Sequence, residues 1–138
     1  MDRQEKREIR VVRDYIAAIN ARDLRAGERI VGPDCRLIDS KGGWIEGHAD
    51  CVEASRRFFA LAIDYRLEPE SVTARGGDVL VRGKMRASDP ILAHDCLWRA
   101  RSNGSQLTEW QSFARGTALP IAQLLMPATA RYGYAASE

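Results

Sequence analysis

A chain of 138 residues, 45% hydrophobic and 29% charged, is long enough for one domain with a core and a pocket, too short for two, and too apolar to be disordered throughout. Its 21 basic and 19 acidic residues are interspersed and leave a net charge of +2, so no polybasic block neutralises nucleic-acid phosphates. No apolar run approaches the roughly 18 residues of a membrane span.

The opening run Met1-Asp2-Arg3-Gln4-Glu5-Lys6-Arg7-Glu8 has no apolar stretch behind it, unlike a secretory signal, and a cytoplasmic location is expected. Ile9, Val12, Ile16 and Ile19 then recur at helical spacing beside Tyr15, which predicts an amphipathic helix over about 4–21. Asp23 reads as the N-cap of a short helix from Leu24 to about Val31, stopped by Gly32-Pro33. Cys35 to Asp39 reads as a strand, Lys41-Gly42-Gly43 as a tight turn into Trp44-Ile45-Glu46, and His48 to about Ala62 as a third helix.

From there the period is two. A strand over Tyr65–Arg75, bulged at Pro69, turns at Gly76-Gly77 into Asp78–Ser88. Asp89-Pro90 leads to Ala93–Arg101, and Asn103-Gly104 to a last strand, Gln106–Ala114. The segment Leu119–Pro127 is apolar enough to pack, and the sequence leaves its form open. Helices followed by an antiparallel meander make an α+β domain, with helices on one face of a curved sheet. The division is a core of about 4–116 and a tail of 117–138. Cys35, Cys51 and Cys96 are odd in number, widely spaced and without a C-x-x-C, so reduced thiols are expected rather than a disulfide framework or a zinc site.

One strand face carries Arg82, Lys84, Arg86, Arg99 and Arg101. Pairing with Glu68, Glu70 and Glu109, or a dimer surface, accounts for that row. An RNA platform would show aromatics in register with the arginines, and none is there.

The stretch Val11-Val12-Arg13-Asp14-Tyr15-Ile16-Ala17-Ala18-Ile19-Asn20-Ala21-Arg22-Asp23-Leu24 resembles the opening helices of the nuclear transport factor two-like superfamily. Within it the likeness is to ketosteroid isomerases and SnoaL-like proteins, and the element order agrees to about residue 115. The resemblance implies a cone-shaped fold: three helices of the N-terminal half packed on a strongly curved, mostly antiparallel sheet that encloses a pocket. It also implies that Tyr15 matches the first-helix tyrosine that donates to a substrate oxyanion, and Asp39 the general base. Such a pair moves a proton alpha to a carbonyl without metal or cofactor, as in the ketosteroid isomerase that serves as a standard example of tuned acids. The implied ligand is a hydrophobic carbonyl compound such as a steroid, terpenoid or polyketide, and the implied assembly a homodimer.

This sequence also departs from the isomerase pattern. The third acid has its nearest candidate in Asp95, yet strand alternation points Asp95 away from Trp98 and turns His94 and Cys96 inward. Ser55 stands where the isomerases have a supporting tyrosine. The Asp-Arg-Asp set of the superfamily's epoxide hydrolases is missing, with Arg82, Lys84 and Gln111 near its places. The candidate catalytic set is therefore Tyr15, Asp39, His94 and Asp95, and the candidate pocket wall Ile19, Phe58, Met85, Trp98 and Trp110. Asp39 is open to a second reading, as a cap for the turn at Ser40 and Gly42-Gly43. Three functions stay open: proton-transfer enzyme (isomerase, or a cyclase or dehydratase using Asp39 with His94), non-catalytic binder of apolar ligands, and dimerisation module.

Overall fold

The computed structural model of the chain describes residues 1–114 and 119–133. Helix α1 spans Arg3–Ala21 and α2 Leu24–Ile30, followed by strands β1 (Val31–Ile38) and β2 (Trp44–Glu46) and helix α3 (His48–Leu61). Strands β3 (Arg66–Arg75), β4 (Asp78–Arg86), β5 (Asp95–Ser102) and β6 (Leu107–Ala114) come next, and a short helix α4 (Ile121–Leu125) near the end. The expected boundary at 116/117 lies outside the described residues.

Local chemistry accounts for the helix ends. Asp2 and Glu5 form a reciprocal capping box at the start of α1, satisfying two otherwise unpaired N–H groups. Asp23 caps α2 through the Ala26 N–H. Arg22 closes α1 in the left-handed conformation that glycine usually fills, and its guanidinium donates to the carbonyls of Ile19 and Ala62.

The six strands form one sheet in the order β2-β1-β6-β5-β4-β3. Every pairing is antiparallel except β1 with β6, which is parallel. The expected short hairpin is thus the far edge of the same sheet as the meander. Strand β1 begins at Val31, earlier than Gly32-Pro33 suggested, but its register with β6 shifts between Val31 and Arg36. Pro33 has no N–H to donate within that stretch. The expected bulge at Pro69 is present, with the β3–β4 register shifting between Pro69 and Ser71. Opposite it, a Cβ on Gly83 would lie 2.2 Å from the Glu68 carbonyl oxygen, so only glycine fits.

The helices cover the inner face of the sheet. Val12, Val79, Val81, Leu67, Leu107 and Ala100 are fully or almost fully buried between the layers. Alternation puts Leu80, Leu97 and Phe113 on the other face, where they are 43%, 52% and 47% exposed. The arginine row lies there too. Arg99 pairs with Asp78 (3.2 Å) and Glu109, Arg101 with Asp78 (2.7 Å), and Arg86 with Glu68 (2.5 Å). Asp78 is a partner that the sequence pattern did not point to.

Candidate functional site

Between the helices and the concave face of the sheet lies a cavity of about 170 Å³. Helices α1, α3 and α4, strands β1, β2, β4 and β6 and the loops between them supply its described lining. Helix α1 supplies Tyr15 and Ile19, one turn apart on its buried face, and α3 supplies Phe58 in the same way. Met85 near the end of β4, Trp110 from β6 and Asp39 just after β1 complete the wall on the sheet side. Seven of the nine candidate residues thus line one cavity: Tyr15, Ile19, Asp39, Phe58, Met85, His94 and Trp110.

Two do not. Asp95 is exposed at the start of β5, opposite Lys84 on the outer face, because the two-residue period runs unbroken through His94, Asp95 and Cys96. Trp98 points inward but is only 2% exposed and lies outside the cavity lining. Its ring stacks on that of Trp110 at 6.0 Å, and Trp110 is the tryptophan that reaches the cavity.

The polar groups fall into two kinds. Asp39 is buried, and both carboxylate oxygens are engaged. Oδ1 accepts the Lys41 and Gly43 N–H groups at 2.8 and 3.0 Å, and Oδ2 accepts the Ala122 N–H at 2.9 Å. The carboxylate therefore caps the turn and also ties α4 to it. Ser40 Oγ accepts the Ala114 N–H, and Ser55 Oγ donates to the Cys51 carbonyl at 2.8 Å, so the serine in α3 is not a support for Tyr15.

Two other groups of the lining have no partner among the described residues. His94 Nε2 is buried without a hydrogen-bond partner among the described residues, while the His94 carbonyl accepts the Met85 N–H and fixes the backbone. Tyr15 stands edge-on to Trp110 at 5.0 Å. Burial, then the nearby Cys35, Cys51 and Tyr65, hold its hydroxyl well above the ordinary tyrosine range, so it stays protonated and able to donate. Tyr65, which sequence reasoning placed only at a strand start, also lines the cavity, edge-on to Phe58 at 4.9 Å. Burial raises its pKa as well. Ser112 and the α4 residues Ile121, Ala122 and Leu125 were missed too. The inward alternation of β6 was the available signal for Ser112.

A SnoaL-like domain model matches residues 12–116, most of the chain. The chain belongs to the SnoaL-like domain family, in the nuclear transport factor two-like superfamily. Solved structures agree on the fold of this SnoaL-like domain. A candidate SnoaL-like polyketide cyclase from Jannaschia sp. CCS1 superposes with a TM-score of 0.72 at 15% identity, covering 83% of this chain and 89% of that one. An LEH-like epoxide hydrolase of M. tuberculosis gives 0.71 at 15% identity, with 83% of each chain covered. A candidate ketosteroid isomerase from Kribbella flavida gives 0.67 at 16% identity, covering 84% and 83%. No curated protein sequence matches the chain. At such identities the likeness fixes the architecture, and chemistry must be argued from the site. Among the described residues no cluster of His, Cys, Asp and Glu has the arrangement of a metal site, and no helix is long and apolar enough to cross a membrane.

Proposed function

We propose that this SnoaL-like domain is a small-molecule enzyme. It would catalyse cofactor-independent proton transfer, of isomerase, cyclase or dehydratase type, on an apolar carbonyl compound. One observation carries the reading: His94 Nε2 is buried at the wall of an aromatic-lined cavity and has no partner among the described residues. A buried polar atom without a partner costs stability, commonly ~1–3 kcal/mol, and such atoms concentrate where a ligand supplies the missing bond. His94 is the group to take up and return the proton, with Tyr15 as the neutral donor to the developing enolate oxygen. Asp39 is the alternative base, but three backbone N–H groups already occupy three of its roughly four acceptor sites.

The test is exchange of the alpha protons of a small enolisable ketone in deuterium oxide. The parent protein should accelerate exchange and His94→Gln should abolish it with binding retained. Binding without exchange in the parent would make the domain a non-catalytic carrier of apolar ligands. That second reading is favoured by the preponderance of carbon in the cavity wall.

The same proposal covers assembly and setting. Leu80, Leu97 and Phe113, ringed by paired arginines, form an apolar patch suited to a two-fold partner, a second copy of this chain. We also propose that residues 1–138 are one SnoaL-like domain, and that it works in the cytoplasm, where its three free thiols remain reduced.

A further inference from the structure

One wall of the cavity does not belong to the helix-and-sheet framework. Leu119, Ile121, Ala122 and Leu125 line it from the C-terminal side. A helix of five residues cannot hold itself in water. Its position comes from three ties to distant parts of the chain. The Ala122 N–H donates to Asp39 Oδ2, the Arg57 guanidinium donates to the Leu125 carbonyl at 2.7 Å, and Trp44 and Arg131 exchange two backbone hydrogen bonds of 2.8 Å each. The turn is shaped for this contact: a Cβ on Gly43 would lie 3.1 Å from Asp39 Oδ2 and 3.5 Å from the Ala122 Cβ.

With the segment tied down, the cavity measures about 170 Å³. A dry protein cavity of ~150 Å³ accepts a benzene ring. A four-ring steroid has several times that carbon skeleton. Charge narrows the ligand further, because the described lining residues include the Asp39 carboxylate and no lysine or arginine. We propose that the tethered C-terminal segment is the size-selecting wall of the pocket, restricting its ligand to an uncharged molecule of about one ring. This rests on the reading of the cavity as a ligand site, and it makes Ile121 a specificity-determining residue.

Calorimetric titration of the whole chain with acetophenone, benzoate and androst-4-ene-3,17-dione tests it. The parent should bind acetophenone, bind benzoate at least about tenfold more weakly, and reject the steroid. Ile121→Ala should shift the steroid-to-acetophenone affinity ratio upward by about tenfold, and Ile121→Phe should weaken acetophenone. Ile121 is only part-buried, so both variants should fold, and the parent's own ranking of the three probes stands without them. Steroid binding by the parent as tight as acetophenone binding, or a ratio unmoved by both variants, would overturn the inference. Binding of none of the probes would overturn it together with the ligand-site reading. Selective binding of acetophenone without proton exchange would uphold it while removing the catalytic reading.

Discussion

The polar side chains of one cavity are used in two opposite ways. Around Asp39 each carboxylate oxygen is matched to backbone N–H groups, and the product is structure: a closed turn and a docked C-terminal segment. At His94 a buried nitrogen has no partner among the described residues, and at Tyr15 a protonated phenol faces apolar surroundings. Committed groups stabilise the domain, whereas uncommitted ones lower its stability and are free to meet a ligand. Matching this fold by residue type alone gives Asp39 and Tyr15 equal standing as catalytic groups. Hydrogen bonding separates them.

The largest expected effect falls on the committed carboxylate. Asp39→Ala strips acceptors from three N–H groups, two of them on the buried residues Gly43 and Ala122, and should lower the unfolding free energy by about 3–5 kcal/mol. Urea denaturation measures it. A loss under about 1 kcal/mol would mean that water replaces the carboxylate and that the contrast is false.

Tyr15→Phe should do the reverse. Removing a hydroxyl that has no hydrogen bond among the described residues should change stability by less than about 1 kcal/mol, yet slow ketone proton exchange by ~10²–10³-fold, the effect of losing one oxyanion donor. A stability loss with unchanged exchange would move Tyr15 to the structural side.

The third prediction is a pH dependence. Burial pushes the Cys96 thiol, on the inner face of β5, up to about 11 from an ordinary 9, against smaller opposing hydrogen bonds with the Phe113 and Leu97 backbone. The folded state therefore favours the protonated thiol more than the unfolded chain does. Stability from this group is full below pH 9 and is lost as pH rises through 11, a fall of up to about 2–3 kcal/mol. Chemical denaturation at pH 8, 9, 10 and 11 should show a shallower fall in Cys96→Ala than in the parent.

The smallest effect on the fold is expected on the outer face. Phe113 is 47% exposed and lies opposite Leu97 across β5 and β6. Phe113→Asp should leave the stability of a single chain within about 0.5 kcal/mol and should convert a dimer to monomer in sedimentation. An unchanged sedimentation coefficient would separate this face from self-association.

How much of this was legible before any coordinates depended on whether the information was periodic. Helix α1 and the strands β4, β5 and β6 repeat their pattern over several turns or residues, so Tyr15 and Ile19 fell on a buried face and His94 and Asp95 on opposite faces of one strand. Alternation gives a face and not a depth. Trp98 and Trp110 both point inward, and only their stacking decides which reaches the cavity. Segment 119–125 carries too few residues for a period, and its position depends on a bond from Asp39 to Ala122, 83 positions away. Likewise Lys41-Gly42-Gly43 announced a turn, but not that Gly43 would be the close-contact site of another segment.

The most direct test of the contrast is a ¹⁵N NMR titration of the chain with acetophenone, following the His94 side-chain nitrogens and the backbone amides of Gly43 and Ala122. If the uncommitted groups meet the ligand, the His94 Nε2 resonance moves with occupancy while the Gly43 and Ala122 amides, held by Asp39, stay near their free positions. Movement of those two amides with His94 Nε2 unchanged would contradict the account and return Asp39 to the centre of the chemistry.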